Sequence, residues 1–214
     1  MDVAIAGGHG QIALHLERLL ADGGHRVRAL IRKPEHDDDV REAGAEPVLC
    51  DLEAEDGDLA SCIDGAEAVV FAAGAGPGSG PERKRTVDYG AAVKLIDACR
   101  RAGVRRYVMV SSIGADDPSS GPEAMRPYLQ AKADADAALA GSGLDWTIVR
   151  PGSLSDEPGT SAVTVTGDMS VRGRVPREDV ARVLAAVLGN PRSIGKTFVV
   201  VGGETLVDQA IDAL

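Results

Sequence analysis

Short apolar runs alternate along this chain with longer stretches in which apolar residues recur every three or four positions. Asp2 to Ala6 predicts a first strand, and its nearly unbroken apolar character implies burial on both faces. Ile12, Leu16, Leu19 and Leu20 then fall at helical spacing with His15, Glu17 and Arg18 off the stripe, and Gly23-Gly24 stops that helix. Val27 to Ile31, Pro47 to Cys50 and Ala68 to Ala72 predict strands two, three and four. A helix through Ala91, Ala92, Leu95, Ile96 and Cys99 ends at Gly103, and Arg106 to Val110 predicts the fifth strand. Leu129 to Leu139 is Ala-rich and helical and is stopped by Gly141 and Gly143. Trp146 to Val149 and Thr197 to Val201 predict the sixth and seventh strands, with an amphipathic helix through Val180, Val183, Leu184, Val187 and Leu188 between them.

Strands that alternate with helices of this length pair in parallel through right-handed crossovers. The pattern predicts an α/β fold, a Rossmann-like doubly wound parallel sheet of about seven strands in the order 3-2-1-4-5-6-7 with helices on both faces. Its cleft is expected at the switch point beside the first strand. There is no internal repeat and no linker, so residues 1–214 are expected to form one domain, with 151–196 contributing a small substrate-side region. The Gly/Pro-rich stretch Gly74 to Pro81 is expected to be a cofactor-side loop rather than a boundary, and Asp37-Asp38-Asp39 a solvated loop or helix start.

With 214 residues, the chain is long enough for one large domain with a sizeable core. Aromatics are only 3% of the residues, so that core must be built from Val, Leu, Ile and Ala, with Trp146 and Phe198 as strand core residues. The formal net charge of -10 argues against a nucleic-acid partner. It also means that an anionic ligand has to be captured by local cations and backbone N–H groups. Cys50, Cys62 and Cys99 form no metal or disulfide pattern, and His9, His15, His25 and His36 show no metal-ligand spacing, so no metal is expected. No leader-like segment and no apolar stretch of membrane-spanning length is evident. The expectation is a reduced, soluble, cytoplasmic protein with no membrane partner; its oligomeric state is left open.

The first strand leads into Gly7-Gly8-His9-Gly10-Gln11-Ile12-Ala13, a G-x-x-G-x-x-A turn that opens an amphipathic helix. Gly7 suits the tight turn, Gly10 lets backbone approach a pyrophosphate, and Ala13 keeps the helix close to the sheet. The amides of Gln11 and Ile12 would point at the phosphates, and His9 is a further candidate phosphate contact. A site selective for NAD places Asp or Glu at the end of strand two, whereas this chain has Arg32-Lys33. A guanidinium can fork onto a 2′-phosphate, so NADP is favoured and NAD is not excluded.

Strand five ends in Ser111-Ser112, and Tyr128 and Lys132 follow at i and i+4 on one helix face. A free tyrosine has a pKa of about 10, and a nearby ammonium favours the phenolate. With Ser112 holding a substrate oxygen that Tyr128 protonates, these three are candidate catalytic residues for carbonyl reduction.

The sequence resembles the short-chain dehydrogenase/reductase superfamily, specifically its small atypical NAD(P)H-binding (NmrA-like) branch. The resemblance rests on Gly7-x-x-Gly10-x-x-Ala13, Arg32, Asp51-Leu52, Ala72-Ala73-Gly74, Val110-Ser111-Ser112 and Tyr128-x-x-x-Lys132. It continues through Thr147 to Gly152 and Val175 to Ala181, in family order over almost the whole chain. It implies that Asp51 and Leu52 contact adenine, that Ala72 to Gly74 flank the ribose and pyrophosphate, and that Lys132 reaches the nicotinamide ribose. It further implies that Pro151-Gly152 lie against the nicotinamide. Asp51 can equally be a loop carboxylate or a helix cap, Arg150 is expected to be a salt-bridged structural cation, and Asp179 to sit in a first helical turn. The chain departs from the family pattern at Gly8-His9, in lacking Asn-Ala-Gly after strand four, and in carrying Asp88 where many extended relatives have Asn. The expected function is an NADP-dependent oxidoreductase acting on a small-molecule carbonyl or related acceptor. The alternatives are a non-catalytic NADP(H)-sensing regulator and, with only about sixty residues after the sixth strand to cover a large substrate, a nucleotide-sugar epimerase.

Overall fold

A computed structural model describes residues 1–54, 58–76 and 78–214. The strands are β1 (Asp2–Ala6), β2 (Arg26–Ile31), β3 (Glu46–Leu49), β4 (Ala68–Phe71), β5 (Arg106–Val110), β6 (Asp145–Pro151), β7 (Ser153–Ser155), β8 (Ala162–Thr166), β9 (Arg174–Pro176), β10 (Lys196–Gly202) and β11 (Thr205–Leu206). The helices are α1 (Gln11–Asp22), α2 (Asp37–Glu42), α3 (Leu59–Cys62), α4 (Pro81–Lys84), α5 (Ala92–Ala102), α6 (Arg126–Ala140), α7 (Arg177–Gly189) and α8 (Val207–Asp212).

Seven strands run parallel in the order β3-β2-β1-β4-β5-β6-β10, the doubly wound order expected from the alternation of elements. Two strands that the sequence reading did not anticipate extend this sheet: β8 pairs antiparallel with β10, and β11 with β8. A further pair, β7 and β9, forms a small parallel sheet of its own. Within 151–196, therefore, β7 and β9 stand off the main sheet, whereas β8 belongs to it and α7 packs on α1.

The uninterrupted apolar runs are explained by cover on both faces. In β1, Val3 and Ile5 join the cluster with Leu16, Leu20, Val180 and Leu184, while Ala4 and Ala6 join the opposite cluster with Leu95, Ile96 and Leu139. Successive strand residues thus feed alternate cores, and no position needs to be polar. Asp37-Asp38-Asp39 form the first turn of α2, where negative charge suits the helix dipole. Arg85–Ala91 wind as a π-helix directly into α5, a feature with no sequence signature that aims Asp88 into the interior. Among the described residues no helix is long and apolar enough to cross a membrane.

Candidate functional site

β1 lies between β2 and β4, so the connections leaving its carboxyl end and theirs splay to opposite sides and open a crevice. A cavity of about 280 Å³ occupies this crevice. Gly7 to Gly10 after β1, Arg32 after β2, Asp51 to Glu53 after β3 and Ala72 to Gly74 after β4 line it. The structure thus brings together the expected residues Gly7, Gly8, His9, Gly10, Arg32, Asp51, Leu52, Ala72, Ala73 and Gly74. Of the stretch Gly74 to Pro81, Gly74 lines the cavity, and Pro77 lies outside the described residues.

The glycines divide the labour of the turn. Gly7 has φ +82°, and a Cβ there would stand 2.6 Å from Ala73 Cα, so the turn admits only glycine while β1 and β4 stay in register. A Cβ on Gly8 would meet Ala29 Cβ at 2.6 Å. Gly10 is different: it is exposed and extended, and a Cβ would meet only Gly7 O at 3.1 Å and Ala72 O at 3.8 Å. It is the N-cap of α1 and makes no side-chain cap, so the first-turn amides of Gln11 and Ile12 receive no side-chain acceptor from it. An uncapped helix N-terminus opening on a glycine cradle fits the diphosphate of a dinucleotide. The residues present therefore suit a nicotinamide dinucleotide.

His9 lies beside the turn, its Nε2 2.7 Å from Asp39 Oδ2 and its ring stacked on His36 at 3.6 Å between centroids. Burial, and then the neighbouring His9, hold the His36 imidazole below its usual pKa. Asp51 accepts the Glu53 amide at 2.9 Å, the loop-carboxylate role, while still facing the cavity. Lys33 points elsewhere: it is exposed, with Nζ 3.5 Å from Glu35, and it does not line the cavity. Ile12 packs against the core, and Gln11 opens a separate cleft of about 420 Å³ shared with His15, Arg18, Asp156 and Arg177. That larger cleft mixes charges of both signs along α1 and gathers none of the residues that follow β2, β3 or β4.

Sequence reasoning gave no role to three polar contributors, of which it had noted only Asp88, as a departure from the family pattern. Glu53 and Arg83 line the cavity, and Asp88 connects it to the candidate catalytic residues. Only the position of Glu53, two residues past Asp51, could have suggested it; Arg83 and Asp88 lie where no hydrophobic period marks a face. Asp88 is 1% exposed, accepts the Ala75 amide at 3.3 Å through Oδ2 and stands 3.2 Å from Lys132 Nζ through Oδ1. Lys132 also donates to Val110 O at 3.1 Å, and its Nζ lies 5.8 Å from the centroid of the Tyr128 ring and 5.7 Å from that of Phe71. The i, i+4 spacing on α6 has placed phenol and ammonium side by side, as expected. Burial disfavours the ammonium, yet Tyr128, Asp88 and Asp136 outweigh it and the pKa of Lys132 is raised.

The two serines after β5 separate in role. Ser111 is buried and donates to Asp136 Oδ2 at 2.8 Å, whereas Ser112 is half-buried and donates to Ile113 O at 3.1 Å. Asp136 is also held by Arg150, through Nε at 3.1 Å and Nη2 at 2.9 Å, which makes Arg150 the salt-bridged structural cation expected. Burial raises the Asp136 carboxyl against the pull of Arg150 and Ser111. Asp179, fully buried in the first turn of α7, accepts the amides of Thr160 and Ser161 and so fixes the loop before β8. Pro151 ends β6 and Gly152 follows it, and neither lines the cavity; the Gly152 amide donates to Val200 O at 2.9 Å.

Residues 7–191 match the NAD(P)H-binding family. Among curated proteins, the chain is 38% identical over 215 residues to the "uncharacterized sugar epimerase YhfK" of Bacillus subtilis, covering 100% of both chains. Among solved structures, it superposes on a "putative NAD-dependent epimerase/dehydratase" from Bacillus halodurans with a TM-score of 0.96, at 39% identity and 100% coverage of both. It also superposes on "the oxidoreductase ylbE from Lactococcus lactis" with a TM-score of 0.89, at 27% identity, covering 100% of this chain and 96% of that one.

Proposed function

Because the chain belongs to the NAD(P)H-binding family, as an atypical, NmrA-like member of the short-chain dehydrogenases/reductases, we propose that it is an NADP-dependent oxidoreductase that reduces a small carbonyl or related acceptor. The observation that carries this reading is the position of Tyr128 and Lys132, joined through Asp88 to the Gly74-Ala75 backbone at the edge of the cofactor crevice.

In this reading Gly7 to Gly10 and the first amides of α1 hold the diphosphate, Asp51 and Leu52 the adenine, and Arg32 the 2′-phosphate. Bound NADPH supplies the hydride. Tyr128 Oη delivers a proton to the acceptor oxygen, Ser112 Oγ orients that oxygen, and Lys132 places positive charge beside the phenol. Pro151-Gly152 and the small sheet of β7 and β9 bound the acceptor side, and 151–196 contributes that side of a single domain. A lobe this small suits a small acceptor better than the sugar nucleotide that an epimerase would hold, despite the names that the two Bacillus relatives carry.

One observation favours a second reading, an NADP(H)-sensing protein without turnover: Lys132 is 4% exposed and already engaged by Asp88 and Val110 O. Turnover of NADPH with a panel of carbonyls, quinones and flavins separates the two. With an acceptor in hand, Tyr128→Phe is expected to reduce kcat by roughly a hundredfold or more while leaving nucleotide affinity within about twofold. Full turnover by that variant would remove Tyr128 from the chemistry.

A further inference from the structure

The adenosine end of the crevice holds an anion of its own. Glu53 Oε2 receives Arg83 Nη2 at 2.9 Å and Arg32 Nη1 at 3.2 Å, and Oε1 accepts the Thr86 hydroxyl at 2.8 Å. Its backbone is fixed as well: Asp51 accepts its amide, and Lys94 Nζ donates to the carbonyls of Glu53 and Ala54 at 3.0 and 2.9 Å. The carboxylate is more covered than either cation, with Glu53 25% exposed against 46% for Arg32 and 42% for Arg83. Two guanidiniums of the cavity lining, one after β2 and one on α4, thus converge on a single oxygen in the cavity wall.

We infer that Glu53 is a specificity-determining residue that occupies the arginine pair as an internal substitute for a phosphate and so limits the preference for NADP(H) over NAD(H). The inference rests on the nucleotide-binding reading above and concerns only which dinucleotide the site prefers. A phosphate monoester on the adenosine ribose has the charge and the oxygen geometry that two forked guanidiniums recognise. To receive it, Arg32 and Arg83 must exchange one anion for another, and a carboxylate left in place would repel the newcomer. Only the difference between the two anions appears as affinity. A ribose diol makes no such demand, since Glu53 can stay on its arginines and accept a hydroxyl hydrogen bond. Arg83 is thereby assigned as the second cation of the subsite.

Calorimetric titration of the full chain with NADP⁺, NAD⁺ and adenosine 2′,5′-bisphosphate tests this, with melting temperatures recorded alongside. Glu53→Gln keeps the shape and the Thr86 contact, and is expected to tighten NADP⁺ and the bisphosphate by about tenfold while NAD⁺ changes by less than about threefold. Arg83→Ala is expected to weaken NADP⁺ and the bisphosphate about tenfold and to leave NAD⁺ within about twofold. Weaker NADP⁺ binding by a folded Glu53→Gln would overturn the inference, because Glu53 would then be organising the arginines for the phosphate. Equal effects of Arg83→Ala on both dinucleotides would overturn it too. In those cases wild-type protein still binds a dinucleotide and the functional reading stands; a wild type that binds neither would remove both.

Discussion

Gly7 and Gly10 occupy the same turn for different reasons, and this makes their substitutions diagnostic. At Gly7 the positive φ and the approach to Ala73 backbone leave no room for a side chain, so Gly7→Ala is expected to lose on the order of 2 kcal/mol and to lower the melting temperature. At Gly10 φ is negative and a Cβ would meet only Gly7 O at 3.1 Å and Ala72 O at 3.8 Å, so Gly10→Val is expected to lower the melting temperature less than Gly7→Ala does yet to bind dinucleotide at least tenfold more weakly. Melting and calorimetry on both variants check the contrast, and a Gly10→Val protein with undiminished binding would move the phosphates away from this turn. The sequence announces these two glycines because a strand, a glycine turn and an amphipathic helix follow one another without interruption. It announces Tyr128 and Lys132 by their spacing on one helix. It marks Asp88 only as a departure from the family pattern and says nothing of Glu53; their roles come from a π-turn and from arginines distant in the chain, and no local period encodes either.

Among the elements, α1 carries an anomaly at Glu17, which is fully buried with both carboxylate oxygens lacking a hydrogen-bond partner. Burial pushes its pKa up to about 8, against the small opposing pull of Arg18. The carboxyl is therefore neutral in the folded chain at pH 7 but ionised once the chain unfolds. With the folded pKa raised above the unfolded one, the stability tied to this group is complete below about pH 4.5 and declines as pH rises to about 8. Glu17→Leu is expected to remove that decline, so that its advantage in unfolding free energy, followed through the melting temperature, grows between about pH 4.5 and 8 and then levels off, reaching at most on the order of 5 kcal/mol. Parallel pH-dependent melts of the two proteins would refute this. Elements themselves were legible to different degrees. The parallel strands stand out as apolar runs because both of their faces are covered, whereas β8 carries a plainer signal, the alternation Ala-Val-Thr-Val-Thr, in a segment whose length offers no helix to frame it. β7, β9 and β11 are two or three residues long, too short for any period to register.

Over the whole molecule, the order of strands sets a gradient of protection. β1, β4, β5 and β6 have a strand on each side and helices above and below, while β3 and β11 end the sheet. Hydrogen exchange is expected to be slowest in the four central strands and fastest in β3 and β11; uniform exchange across the sheet would contradict the two-core arrangement. The ends of the sheet have a further consequence for the protein in concentrated solution. A free strand margin is a template on which another chain can add, and growth of that kind needs length and an unbroken row of donors. On one side the margin is four residues containing Pro47, which has no amide hydrogen to offer; on the other it is only Thr205 and Leu206. A chain this rich in valine and isoleucine thus closes off edge-to-edge polymerisation with one proline at one border and brevity at the other.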